Sequence, residues 1–108
     1  MRLKPALLIP LLLLLVSPGL LRAQRDARED ISINARAFTP GTLHAKKGQT
    51  ITWKNNDNSD HTVDAEDGSF ASGTIKSGKT FSHTFKKPGK YAYSCRLHPR
   101  MKGTIVVE

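Results

Sequence analysis

The chain has 108 residues, with 17 Lys and Arg against 9 Asp and Glu, which gives a formal net charge of +8 at neutral pH. A chain of this length forms one domain, and its single cysteine excludes an intramolecular disulfide. The basic balance does not indicate a nucleic-acid partner, because the sequence lacks the interleaved aromatic and basic residues of a stacking surface.

Residues 1–23 have the features of a cleaved secretory signal. Arg2 and Lys4 give a positive start, an almost wholly apolar run follows, and Ala23 is a small residue at the expected cleavage point. The apolar run is short for a membrane span and is interrupted by Pro10 and Pro18. We therefore expect an exported protein, periplasmic or otherwise secreted, whose mature chain is not stably inserted in a membrane. An uncleaved anchor is the alternative.

Residues 24–30 are charged and predict a flexible lead-in, so residues 31–108 form the folded domain. A domain this small buries only about 60% of its unfolded surface and needs a further source of stability. A lone thiol in an oxidising compartment is open to oxidation. Binding the thiolate to a metal removes that hazard and stabilises the folded state. The cysteine count therefore favours a metal site in a monomeric protein.

The folded part alternates apolar and polar residues with period two and shows no helical period. The first strand is expected to point Ile31, Ile33, Ala35 and Ala37 inward, before a break at residues 38–41. Further strands are expected at 42–45, at 50–53, from His61 onward, near Phe70, at 80–85, at 90–95 and from about 103 to 107. Seven or eight short strands separated by turns predict an all-β sandwich or barrel.

The last bend carries a thiol, an imidazole and a thioether at three-residue steps, as Cys95, His98 and Met101. By the chain's own composition this spacing has odds of roughly one in 1,500. Soft sulfur together with imidazole selects copper, and less strongly zinc. The alternative is a loop that carries an ordinary Met and His beside a buried Cys.

His61 offers a second imidazole from a distant part of the chain. The alternation points both His61 and Cys95 inward at the ends of two strands, so the two side chains can meet at one end of the fold. Two His, one Cys and a weak Met make a trigonal site that suits both copper oxidation states. No coordination position is left open for a substrate, which argues against an enzyme.

Several segments resemble the cupredoxin family of type 1 blue copper proteins, closest to its amicyanin-, plastocyanin- and pseudoazurin-like members. They are Phe-Thr-Pro at 38–40, Ile-Thr-Trp-Lys-Asn at 51–55, Phe-Ser-His-Thr-Phe at 81–85, Tyr-Ala-Tyr-Ser-Cys at 91–95 and the short Cys-x-x-His-x-x-Met loop. The resemblance implies a Greek-key β-sandwich with one copper ion at one end, held by His61, Cys95, His98 and Met101. One departure is Thr62, where many members carry an Asn that ties the ligand loops together.

Basic residues surround the expected metal loop. Arg96, Arg100 and Lys102 lie in or next to it, while Leu97 and Pro99 could form a small apolar patch beside His98. Such a surface favours a redox partner protein with an acidic docking face and an association rate that depends on salt. The alternative is an ordinary solvated surface.

The remaining polar and aromatic residues have simpler interpretations. We expect His83 and Trp53 to pack in the interior and His44 to lie at the surface. Asn55 either hydrogen-bonds between the loops around the site or is a simple turn residue. The leading hypothesis is a blue copper protein that carries single electrons through a type 1 Cu(II)/Cu(I) site. Two alternatives remain open: a copper storage or delivery module, and a structural sandwich without metal.

Overall fold

The structure is a computed structural model that describes residues 28–108, and it contains eight strands within that part of the chain. The strands are β1 Ile31–Asn34, β2 Ala37–Thr39, β3 Thr42–Ala45, β4 Thr50–Asn55, β5 Asp64–Ala65, β6 Thr80–Thr84, β7 Gly89–Cys95 and β8 His98–Val107. The expected all-β architecture of seven or eight strands is confirmed. The predicted signal segment, 1–23, lies outside the described residues, as does most of the predicted lead-in. Over the described range, the chain forms no helix with the length and apolar character that crossing a membrane requires.

The strands form two mixed four-stranded sheets, in the orders β2-β1-β4-β6 and β3-β8-β7-β5. Two pairs of neighbours are parallel, β1 with β4 and β3 with β8, and the other pairs are antiparallel. Parallel neighbours cannot be joined by a tight hairpin. The chain therefore passes repeatedly from one sheet to the other, which gives the crossed connections of a β-sandwich.

The core joins the two sheets through a cluster of aromatic rings. Trp53 of β4 is fully buried, and its ring meets the ring of Tyr93 from β7 edge-on at a centroid distance of 5.5 Å. Phe70, Phe81 and Phe85 pack around the same indole at 5.6–6.4 Å. Edge-to-face pairs of this kind add stability beyond the area that they bury. The expected interior position of Trp53 is confirmed.

The first expected strand is broken, which corrects the sequence prediction. Ala35 and Arg36 form a turn with φ angles of 53° and 54°, so Ala35 and Ala37 are exposed instead of facing inward. The two backbone N–H groups of this turn donate to the carboxylate of Asp57 at 2.7 and 3.0 Å. A contact between residues more than twenty positions apart leaves no trace in a period-two pattern. Phe38, assigned to a break, is buried in β2.

The strand expected to begin at His61 is also different. His61 makes an isolated bridge with Ile75, through hydrogen bonds of 3.2 and 2.7 Å, and β5 begins only at Asp64. His61, Thr62 and Val63 are all fully buried, so the inward and outward alternation fails here. The reason is that this segment lies between a loop and the end of β7, and is covered on both sides.

Candidate metal centre

The bend between β7 and β8 brings the residues of the predicted motif together. Cys95 ends β7 and pairs with His98, across a two-residue turn. The next pair in the ladder is Ser94 with Lys102, so residues 99–101 are extra residues on one strand and form a bulge. A bulge turns side chains away from the regular pleat and is common beside functional sites. This is why β8 starts at His98, five residues earlier than the sequence pattern indicated.

Three donor atoms meet at this point. The ligand atoms of His61, Cys95 and His98 all lie within 4.8 Å of one another. The Sγ of Cys95 is 3.8 Å from Nδ1 of His61 and 3.7 Å from Nδ1 of His98. The side chains of His61 and Cys95 are fully buried, whereas His98 is partly exposed. Residues 34 positions apart in the chain therefore present a thiol and an imidazole to the same small volume.

Met101, the fourth residue of the predicted set, lies on the bulge. Its side chain is 4% exposed, and it lines the same surface cavity as His98, with a volume of about 390 Å³. The cluster of His61, Cys95 and His98 thus offers one thiol and two imidazole nitrogens, and Met101 adds a thioether to the cavity that His98 lines. A soft trigonal donor set with a weak thioether suits Cu(I) and Cu(II) better than hard cations such as Mg²⁺. The residues present fit a single copper ion.

Asp57 fixes the orientation of His61. Nε2 of His61 lies 2.8 Å from a carboxylate oxygen of Asp57 and 3.2 Å from the hydroxyl of Ser59. When Nε2 carries the proton and donates a hydrogen bond to the carboxylate, Nδ1 is unprotonated. Its lone pair then faces Cys95. Partial burial would raise the pKa of Asp57, but hydrogen bonds from the Arg36 and Ala35 amides and the contact with His61 hold it below the usual 3.8.

The sequence analysis missed Asp57. The available signal was an acidic residue four positions before His61, within a run of turn formers. That signal is weak, because acidic residues are common in such turns.

A second set of contacts ties the His61 segment to the bend. The backbone N–H of Thr62 points at the Sγ of Cys95 over 3.3 Å. The hydroxyl of Thr62 accepts the backbone N–H of Arg96 at 2.8 Å. Thr62, which the sequence analysis identified as a departure from the family pattern, therefore bonds to two consecutive residues at the start of the turn, Cys95 and Arg96.

Asn55 organises the loop that leads to His61. Its side-chain amide donates to the carbonyls of Ser59 and Ile75, both at 2.8 Å, and its oxygen accepts the Asp57 amide at 2.9 Å. Asn55 is fully buried, so these bonds satisfy groups that water cannot reach. Of the two roles left open for Asn55, the structure shows the hydrogen bonds between loops.

The other two histidines lie outside the cluster. His83 packs against the rings of Phe70 and Phe85, with centroid distances of 4.8 and 4.9 Å, and burial lowers its pKa. His44 is exposed on β3. The packing role expected for His83 and the surface position expected for His44 are confirmed.

The surface beside His98 is apolar at its centre and basic at its edge. Leu97 is 50% exposed and is the most exposed large apolar side chain of the described residues. Arg36 and Arg100 line the cavity that His98 and Met101 share. Arg36 comes from the β1–β2 turn, so its place beside the bend could not be predicted from its position in the sequence.

Comparison with known proteins places these features in a family. The sequence profile of the cupredoxin-like domain matches residues 5–107. Amicyanin-alpha of Methylorubrum extorquens is 31% identical over 101 residues, which cover 86% of this chain and 85% of that protein. Plastocyanin of Scenedesmus fuscus is 31% identical over 87 residues, covering 68% of this chain and 89% of that protein.

A solved structure agrees with the sequence comparisons. A proline-to-glycine variant of amicyanin, in its reduced Cu(I) form at pH 4, has a TM-score of 0.68 and 32% identity. The alignment covers 72% of this chain and 79% of that one. The eight-stranded sandwich and the His-Cys-His cluster agree with the family profile and with the relatives. The chain belongs to the cupredoxin-like family.

Proposed function

We propose that this protein is an exported, monomeric electron carrier with one copper ion held by His61, Cys95, His98 and Met101. The observation that carries the proposal is the convergence of a lone buried thiol and two imidazoles within 4.8 Å. The relatives named amicyanin and plastocyanin support the same function. Copper, when bound, supplies a one-electron Cu(II)/Cu(I) couple. Residues 1–23 are the export signal and residues 31–108 are the copper-binding domain.

The chain's own residues serve this function by holding the donor atoms still. His61 is fixed by Asp57, and Cys95 lies at the paired end of β7 with a hydrogen bond from Thr62. Donor atoms held by a rigid sheet move little when the charge of the site changes, and small movement favours fast electron transfer. No residue of the proposed set is left to bind a substrate, which supports a carrier over an enzyme.

His98 is the expected route for electrons. It is the partly exposed imidazole of the cluster, whereas His61 and Cys95 are fully buried. The apolar Leu97 beside it allows close contact with a partner, and Arg36 and Arg100 at the edge attract an acidic surface. Complementary charge of this kind raises the association rate more than the affinity.

The test is an optical spectrum of the protein with added Cu(II). A type 1 site gives an intense blue colour from thiolate-to-copper charge transfer, and Cys95→Ser should abolish it. His83→Ala is the matched control, because His83 packs outside the cluster, and its blue colour should remain. A colourless Cu(II) form of the parent protein would contradict the proposal. A coloured protein that loses copper quickly to a chelator and shows no reversible redox wave would favour storage or delivery.

A further inference from the structure

The hydroxyl of Thr62 lies between three groups. It accepts the Arg96 amide at 2.8 Å, lies 2.5 Å from a carboxylate oxygen of Asp64, and lies 3.9 Å from the Sγ of Cys95. A hydroxyl has only one proton to donate. The short, charge-assisted contact with Asp64 takes that proton, so the more distant sulfur does not receive it.

The consequence concerns the charge on the sulfur. Among the described residues, Cys95 Sγ then accepts one backbone hydrogen bond, from Thr62 N–H at 3.3 Å. Hydrogen bonds to a copper-bound thiolate withdraw electron density from it and favour the reduced metal, and they are a recognised means of tuning the reduction potential. Withholding the hydroxyl proton leaves more negative charge on the sulfur, which favours Cu(II).

Both ends of this contact are anchored. Asp64 begins β5 and pairs with Ser94 of β7, the strand that ends at Cys95. Thr62 is fully buried, so water does not compete for its hydroxyl. The arrangement is therefore built into the end of the sheet and does not depend on a mobile surface side chain.

We propose that Thr62 and Asp64 act together as positioning residues. The Thr62 hydroxyl connects the turn at Arg96 to the His61 segment. Asp64 accepts the proton of that hydroxyl and so keeps it from the Cys95 sulfur. This inference rests on the proposed copper site. In many family members an Asn connects the ligand loops, and here the Thr62–Asp64 pair takes that role. The pair also affects the equilibrium between Cu(II) and Cu(I).

The first experiment measures the reduction potential of the copper-loaded protein. Asp64→Ala frees the hydroxyl to turn toward the sulfur, so the ratio of Cu(I) to Cu(II) at a fixed potential should rise about tenfold, equivalent to about 59 mV for one electron. Glu66→Ala is the matched control, because it removes an exposed carboxylate two residues away. We expect a change of less than about twofold there, since exposed charges are screened. Equal shifts in the two variants would overturn the effect on the sulfur.

The second experiment tests the hydrogen bond between the Arg96 amide and the Thr62 hydroxyl in the copper-free protein. Thr62→Val keeps the shape but removes the acceptor of the Arg96 amide, whose hydrogen exchange should become at least about tenfold faster. Thr62→Ser restores the hydroxyl and should restore the slow exchange. The potential should stay near the parent value in both variants, because in neither does a hydroxyl proton reach the sulfur. If the Arg96 amide exchanges no faster in Thr62→Val, the proposed connection between the turn and the His61 segment is wrong. A protein that shows the exchange effect but never turns blue would instead contradict the proposed function.

Discussion

The carboxylate of Asp57 lies 2.8 Å from the Nε2 of His61. The same carboxylate accepts the backbone N–H groups of Ala35 and Arg36, so it connects a proposed copper ligand to the turn between β1 and β2. That turn carries two non-glycine residues with positive φ, a conformation that costs energy unless other contacts hold it. One side chain thus orients His61 and stabilises the turn that presents Arg36 beside His98.

Removing this carboxylate should destabilise the fold even without copper. Asp57→Ala leaves two amides of the turn and the His61 ring without their acceptor, and we expect a loss of about 1–3 kcal/mol in the free energy of unfolding. Urea unfolding of the copper-free protein measures the loss. Asp60→Ala is the control, because Asp60 forms an exposed ion pair with Lys76 at 3.1 Å, which should contribute only about 0–1 kcal/mol. Equal losses would contradict the role given to Asp57.

Tyr93 should make the domain less stable at alkaline pH. Burial raises its pKa to about 12, against an ordinary value of 10.0, and the nearby Trp53 opposes the rise. The folded state thus keeps a proton that the unfolded state loses. The free energy of unfolding is unaffected below about pH 10 and falls as the pH rises to about 12, by up to about 3 kcal/mol.

The variant Tyr93→Phe isolates this effect. Within residues 28–108 neither the hydroxyl of Tyr93 nor the indole N–H of Trp53 has a hydrogen-bond partner of good geometry. Removing the hydroxyl should therefore change stability at pH 7 by no more than about 1 kcal/mol. Urea unfolding between pH 9 and 12, expected to be flatter in the variant, provides the measurement. An equally steep decline in both proteins would show that other groups cause it.

Gly103 is required by the ring of Tyr93. The two residues are paired across β7 and β8, and a Cβ at residue 103 would lie 2.2 Å from Cζ and the hydroxyl oxygen of Tyr93. Gly103→Ala should therefore cost about 1–3 kcal/mol through overpacking, measured by thermal or urea unfolding. Gly41→Ala is the matched control, since its Cβ would meet only the Phe38 carbonyl oxygen at 3.9 Å. A cost no larger than that of Gly41→Ala would mean that the ring moves freely.

The arginines beside His98 should steer anionic partners. Replacing Arg36 and Arg100 by Ala should slow oxidation of the reduced protein by hexacyanoferrate(III) roughly threefold to tenfold at low salt. The same change should speed oxidation by a cationic cobalt(III) complex, and both effects should fade near 0.5 M salt, since screening shortens the range of the charges. The control replaces Lys86 and Lys87, which line a different pocket. Equal effects of the two pairs would indicate a response to net charge instead of docking.

Local patterns determined most of what the sequence could tell about this protein. Alternation with period two depends only on neighbouring residues, so it predicted the all-β class and the strand Thr42–Ala45 with its observed bounds. The spacing of Cys95, His98 and Met101 is equally local, because one bend carries all three. The resemblance to the cupredoxins rested on the same short segments and was confirmed by the family profile.

The tertiary structure decided what depends on residues distant in the chain. The break after Asn34 and the place of Arg36 beside the bend arise from contacts that span more than twenty residues or bring separate turns together. The shared hydroxyl of Thr62 joins positions 34 residues apart. Such contacts form only when the two sheets have packed, and hydrogen-bond geometry at a few ångströms cannot be read from hydrophobic periodicity. The sequence thus determined the kind of site, and the folded chain determined which neighbours hold it.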